Sequence, residues 1–201
     1  IDPATGRPRV SFAVEGAGRM KELIEGILAY SRVGSHGKPL ELVDCKEIVQ
    51  TTIANLQLAI HDCGARVTCD ELPTVLADGS QLIQLFQNLI ENAVKFRSER
   101  PPEIHIGVEQ TDTEWRFSVR DNGIGMDAEH SDRIFHMFQR LHTREQYPGT
   151  GIGLAICKKI VLRHGGRIGA DSQPGMGSVI SFTLPITPHP PAHLLSSARD
   201  S

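Results

Sequence analysis

Apolar positions first recur at helical spacing between Phe12 and Val33, where Val14, Met20, Leu23, Ile24, Ile27 and Leu28 share one side. Gly34 to Gly37 stop that helix. PLELVD reads as a short strand. Asp44 is placed to cap a helix running to about Asp62, with Ile48, Val49, Ile53, Leu56 and Ile60 on its buried side. ARVTCD and TVLAD are two more short strands, the second ending at Asp78, an N-cap for a strong helix to about Phe96. Pro101 and Pro102 break the chain. EIHIGVEQ and EWRFSVRD alternate and are joined by Thr111, Asp112 and Thr113, which predicts a β-hairpin. Short helical turns follow over 127–138, and the polar, glycine-containing stretch 139–150 is expected to be a mobile loop. Leu154 to His164 is a helix stopped by HGG, and RIGADS and VISFTLP are closing strands around QPGMG. Strands and helices do not alternate strictly. The expected class is therefore α+β, a two-layer α/β sandwich rather than a doubly wound sheet.

Composition narrows the picture. A length of 201 residues suits one domain with a short arm. At 39% hydrophobic and 22% charged residues, most of it should be globular. The formal net charge of −3 gives no electrostatic case for nucleic-acid binding. No apolar run reaches the roughly 18 residues of a membrane span, so no membrane contact is expected from this segment. The opening IDPATGRPRV has no apolar signal region. The four cysteines, Cys45, Cys63, Cys69 and Cys157, form no C-x-x-C pair and read as reduced, buried thiols of a cytoplasmic protein. The Pro-, Ser- and His-rich end after Pro185 is expected to be disordered.

Three stretches carry candidate chemistry. YPGTGIGLA alternates glycines with Thr150 and Ile152 and opens a helix. No Gly-Lys-Ser/Thr follows and no strand directly precedes, so it is neither a Walker A loop nor a dinucleotide fingerprint. A helix N-terminus still offers free N–H groups to an anion, and a flexible turn is the plain alternative. RDNGIGMD comes off a strand and sets Asp121 before two glycines. A carboxylate only accepts, so it suits an exocyclic amine such as that of adenine, or an Asx turn. On the helix before it, QNLIENAVKF puts Asn88, Asn92 and Lys95 at i, i+4 and i+7, a stripe roughly 60° wide. A merely solvated face would favour Glu–Lys pairs at that spacing. Amide oxygens are hard ligands for Mg²⁺, and lysine pairs with phosphate.

The order NLIENAVKF, DNGIGM, IFHMFQR, GTGIGLA, PGMGS resembles the N, G1, F, G2 and G3 boxes of sensor histidine kinases of the GHKL ATP-binding superfamily, over roughly residues 40–185. The segment from Phe138 to Gly166 looks especially like phytochrome-type and PAS/GAF-linked kinases. The resemblance implies the Bergerat fold, a mixed sheet covered on one face by helices, with ATP between those helices and a lid. It implies that Asn92 ligates Mg²⁺, that Asn88 assists at the metal and phosphates, and that Lys95 contacts phosphate. Phe96 would pack on the base and Asp121 would accept from the adenine amine. Gly123 and Gly125, with Ile124 and Met126 between and after them, would let the backbone approach. Arg140 would reach the γ-phosphate, making Asn88, Lys95 and Arg140 the catalytic set. Gly149, Gly151 and Gly153, with Thr150 and Leu154, would wrap the phosphates. Phe135 and Phe138 would anchor the lid, which is itself a form of core packing.

Gyrase, mismatch-repair and heat-shock ATPases of this superfamily carry a glutamate one helical turn before the metal-binding asparagine. Here Asn88 stands there, and a neutral amide is a poor general base. Glu91 sits about 60° off the stripe and reads either as solvated or as a participant. A histidine kinase also needs an acceptor histidine followed by Asp or Glu. None of His36, His61, His105, His130, His136, His142, His164, His189 or His193 fits, and each reads as structural or solvated. FAVEGAGRMKELIEGILAYSRVG resembles the second helix of the dimerisation hairpin, so it should pair with a second copy, lie against the domain, or fray. The expected organisation is a disordered start or expression remnant over 1–10, that helix over 11–36, the catalytic and ATP-binding domain over 38–186, and a disordered tail over 187–201. Expected partners are ATP, a histidine-bearing dimerisation domain and a response-regulator receiver domain, with a homodimer in the full-length protein. A GHKL ATPase, an anti-sigma-type serine kinase, and a non-catalytic nucleotide-dependent interaction module are the rival readings.

Overall fold

A computed structural model describes residues 9–35, 37–141, 143, 146–147 and 149–186. The expected disordered tail and residues 1–8 of the expected frayed start lie outside them, as do four positions of the expected mobile loop. Helix α1 spans Arg9–Ser35, so the start of the expected frayed segment is cut short by helix at Arg9. Strand β1, Glu41–Asp44, leads into α2, Cys45–Asn55, whose N-terminus Asp44 caps by accepting from Lys46 N.

The expected single helix to Asp62 is two. Leu56 leaves helical geometry at φ −99° and ψ 9°, and α3 spans Gln57–Asp62. The physical cause lies one turn earlier. Thr51, Thr52 and Ile53 are β-branched, and Thr52 Oγ1 donates back to Ile48 O at 2.8 Å, a bond that bends helices. The break lets Leu56 turn into the core.

Strands β2 (Arg66–Cys69) and β3 (Thr74–Ala77) precede α4, Gly79–Lys95. Strands β4 (Glu103–Gln110) and β5 (Glu114–Asp121) form the expected antiparallel hairpin. Two short 3₁₀ turns, Ala128–His130 and Arg133–Phe135, lead to the glycine loop and α5, Gly153–Arg163. Strands β6 (Ile168–Ser172) and β7 (Ser178–Pro185) close the chain.

Five strands make one sheet in the order β2-β4-β5-β7-β6, while β1 and β3 pair separately as an antiparallel ribbon. Only β2 runs parallel to its neighbour, β4. Alternation sends Ile104, Ile106, Phe117, Val119, Ile180, Phe182 and Leu184 to one face, where they bury. Helices α4 and α5 cover that face. Phe86 of α4 meets Phe117 and Phe182 edge-on, at 6.2 Å and 5.7 Å between ring centroids. This is the expected two-layer sandwich.

Helix α1 lies along α5. A Cβ on Gly26 would meet Ile152 Cδ1 at 2.7 Å, so the two helices approach closely there. Lys159 Nζ sits 4.1 Å from the Tyr30 ring centroid and donates to Tyr30 O at 2.8 Å. Leu23 packs against the core, whereas Met20, Ile24, Ile27 and Leu28 stay exposed on the other side.

Candidate functional site

The site begins with the capping of α4. Asp78 accepts from Ser80 N and Gln81 N, fixing where the helix starts and hence which residues face which way. Leu82, Leu85, Phe86, Leu89, Ile90 and Ala93 go into the core. The neighbouring stripe of Asn88, Asn92 and Lys95 faces a cavity of about 370 Å³. The opposite wall comes from the end of β5 and the loop after it, with Asp121, Ile124, Gly125 and Met126. Arg140, Gly149, Thr150, Gly151, Gly153 and Leu154 close it from the loop before α5. Phe96 also lines it. Gly123 alone of the expected set stands behind the wall. Its N–H donates to Asp121 Oδ1 at 2.8 Å, and a Cβ there would meet Phe96 O at 2.4 Å.

Two of the loop glycines lie close against the stripe they face. A Cβ on Gly149 would come within 2.7 Å of Lys95 Nζ, and one on Gly153 within 2.7 Å of Asn88 Oδ1. Gly149 and Gly151 have φ of 138° and 73°, in the region that favours glycine. Asn88 donates its Nδ2 to Gln84 O at 2.8 Å, which turns Oδ1 toward the loop. Asn92 has no side-chain hydrogen bond among the described residues.

The charges are arranged for an anion. Burial holds Lys95 below its ordinary range, and the Arg140 guanidinium beside it adds to the effect. Lys95 Nζ lies 4.7 Å from the Phe96 ring centroid. Arg140 donates to Tyr147 O at 2.7 Å and Gly149 O at 2.9 Å, so it braces the loop from within the cavity wall. Neither cation meets a carboxylate among the described residues. Burial pushes the Asp121 carboxyl above its ordinary range, against the bonds it accepts from Gly123 N and from Ser178 N at 3.2 Å. Glu91 reaches the rim, is exposed, and accepts from Gln87 Nε2 at 2.9 Å.

One expected lid anchor is corrected. Phe135 is buried, but Phe138 is 52% exposed, with φ 63°. Its N–H donates to Gly151 O at 3.0 Å, and this backbone clasp turns the ring away from the core. Val119, Ile134, Gln139 and Ile180 also line the cavity, and two residues of the quoted motifs join them without a role expected from the sequence. Ser178 ends the PGMGS stretch, and Tyr147 opens YPGTGIGLA, its ring centroid 5.0 Å from that of Phe96 and its plane tilted by 45°.

A family model described as histidine kinase-, DNA gyrase B-, and HSP90-like ATPase matches residues 77–188. The chain belongs to this ATPase family. Within it, the chain is similar to Cyanobacterial phytochrome A of Nostoc sp. (strain PCC 7120), with 54% identity over 88% of this chain and 23% of that protein. It thus spans less than a quarter of that relative's length. Among solved structures it is similar to full-length ShkA in complex with AMPPNP, with a TM-score of 0.71, 27% identity, and coverage of 89% of this chain and 38% of that one. It is also similar to the histidine kinase ThkA in complex with the response regulator TrrA, with a TM-score of 0.66, 25% identity, and coverage of 94% and 53%. These matches show an ATP-binding catalytic domain of the histidine-kinase type.

Proposed function

We propose that this domain binds ATP with Mg²⁺ and transfers the γ-phosphoryl group to a histidine on a dimerisation hairpin whose second helix is α1. One observation carries the reading: a single cavity combines the half-buried acceptor Asp121 with two amides, two cations that meet no carboxylate among the described residues, and a glycine loop pressed against them. The ShkA complex with AMPPNP and the ThkA complex with a response regulator support the same reading for this chain.

Asp121 accepts from the adenine amine, while Ile124 to Met126 lie along the base with Phe96. Gly149 to Leu154 wrap the phosphates. The donor set fits Mg²⁺: the Asn92 amide oxygen and the loop-facing Asn88 Oδ1 are hard and neutral, and the described residues hold no cluster of three His, Cys, Asp or Glu that would favour another metal. Asn92, assisted by Asn88, would hold the ion, which neutralises charge on the phosphates when bound. Lys95 and Arg140 supply the rest of that neutralisation, Arg140 by exchanging carbonyl bonds for the γ-phosphate. The acceptor ring nitrogen forms the new N–P bond as the bond to the ADP oxygen breaks. Phosphate then passes to a receiver-domain aspartate. In this reading α1 belongs to the hairpin and 38–186 to the catalytic domain, in a cytoplasmic, homodimeric parent protein. The hydrolytic alternative would lean on Glu91, which reaches the cavity rim.

The test uses γ-labelled ATP and Mg²⁺, with this chain alone and with a separately made hairpin carrying the acceptor histidine. Acid-labile, alkali-stable label is expected on the added hairpin only. Rapid release of free phosphate without label on the hairpin would overturn the kinase reading in favour of an ATPase. Bound ATP with neither outcome would leave an interaction module.

A further inference from the structure

Ser172 ends β6, is buried, and was no part of the expected site. Its hydroxyl is used to capacity. Oγ accepts from Met126 N at 2.9 Å, donates to Gly177 O at 2.8 Å, and lies 3.1 Å from Ser178 Oγ. A serine hydroxyl has one proton and two lone pairs. The Gly177 carbonyl can only accept, so it takes the Ser172 proton. The Met126 N–H takes one lone pair. The contact with Ser178 is then a bond that Ser178 must donate, leaving Ser178 Oγ with lone pairs alone for the cavity it lines.

The surroundings lock this polarity. Gly175 N donates to Ile124 O at 2.7 Å, and a Cβ on Gly125 would meet Gln173 O at 2.0 Å. The turn after Ser172 is thus seated on the loop after Asp121. Ser178 N donates to Asp121 Oδ1 at 3.2 Å, so the same serine that Ser172 orients also holds the carboxylate.

We propose that Ser172 is a positioning residue for base selectivity: by consuming the Ser178 proton it makes Asp121 and Ser178 a paired acceptor edge, which admits a purine bearing an exocyclic amine and repels one bearing a carbonyl there. This rests on the ATP-site reading above and adds a residue that touches no ligand itself. Without the Ser172 hydroxyl, Ser178 is free to rotate and donate, and the edge no longer discriminates.

Calorimetric titration of the chain with ATP and with GTP tests it. Ser172→Ala should weaken ATP binding about tenfold, the order expected for one lost hydrogen-bond anchor, while GTP binding holds or improves. The ratio of the two affinities should collapse, and Ser172→Thr should restore it. An equal loss for both nucleotides, or no change, overturns the inference. Should Ser172→Ala not fold, Ser178→Ala removes the proposed acceptor while leaving the Met126 and Gly177 bonds in place. An ATP-to-GTP preference that survives Ser178→Ala overturns the inference as well. The parent reading fails separately: wild-type protein that binds no ATP, or Asp121→Asn that keeps full affinity, breaks the site assignment itself. Wild-type binding abolished by Asp121→Asn, with selectivity intact in both serine variants, breaks only the role of Ser172.

Discussion

The two ends of α4 use polar side chains in opposite ways. At its N-terminus, buried Asp78 accepts from Ser80 N, Ser80 Oγ and Gln81 N on one oxygen, and from Lys38 N and Arg163 Nη1 on the other. Its own N–H donates to His164 Nε2 at 3.0 Å. Gln81 donates to Val33 O and accepts from Arg163. The end of α1, the segment after it, and the ends of α4 and α5 meet in one saturated network. At the C-terminal end, Asn92 has no side-chain hydrogen bond among the described residues, Asn88 Oδ1 points at a glycine, and Lys95 is crowded by another cation. Polar groups that satisfy one another hold structure together, while polar groups left open beside a glycine loop await a ligand.

The largest effect that would test this contrast is on stability. Asp78→Ala removes the cap and leaves Arg163 and the Lys38 N–H without their carboxylate. The expected cost is roughly 3–5 kcal/mol in denaturant unfolding, as for a broken buried pair. A loss under about 1 kcal/mol would mean the N-terminal network is as dispensable to the fold as the cavity groups.

Lys95→Met should do the reverse. Nucleotide affinity should fall about tenfold with loss of a phosphate-facing cation. Stability of the nucleotide-free protein should hold or rise by at most about 0.5 kcal/mol, because solvent screens its repulsion with Arg140. Calorimetry and thermal melting on the same samples read both. A clear drop in stability would place Lys95 with the structural group instead.

These two ends were unequally legible in the sequence. The cavity side was written locally: Asn88, Asn92 and Lys95 lie within eight residues, and Asp121 and the glycine runs are compact signals. So was the Asp78 cap, four residues before the apolar stripe that begins at Leu82. The network around Asp78 was not, because Arg163 lies 85 positions away and Lys38 lies 40 positions before it. Nothing at HGG reveals that His164 reaches back to α4. Ser172 was hidden in part for the same reason, since Met126 lies 46 positions before it, although Gly177 and Ser178 are only five and six positions on. The α2–α3 break escaped because the apolar spacing continues through it, while the cause is a threonine hydroxyl. Phe138 misled in the other direction. Its spacing from Phe135 suggests a second anchor, and a backbone bond to a glycine, not hydrophobicity, decides where its ring goes.

The smallest expected effect is a pH dependence of the N-terminal network. His164 Nδ1 is 2.8 Å from Ile160 O, which accepts only, so Nδ1 carries the proton and Nε2 is the acceptor for Asp78 N–H. The ring is thus held neutral. Burial keeps it below its ordinary range, with Arg163 adding to that and the Ile160 bond and Asp78 opposing. A histidine whose pKa is lower folded than unfolded gives its full contribution above the unfolded value of about 6.5. As pH falls below that, the unfolded chain takes the proton first and stability declines, by at most about 1.4 kcal/mol per pH unit for one proton. Asp78, held below the usual carboxylate range, keeps its contribution until more acidic pH. Asp121, raised by burial, acts with the opposite sign as pH approaches the carboxylate range. Between pH 6.5 and 5 the wild-type protein should therefore lose stability with a slope that His164→Gln removes, the amide still able to accept from Asp78 N–H. If the slope survives in that variant, the imidazole is not its source, and the saturated end of α4 is indifferent to protons in this range.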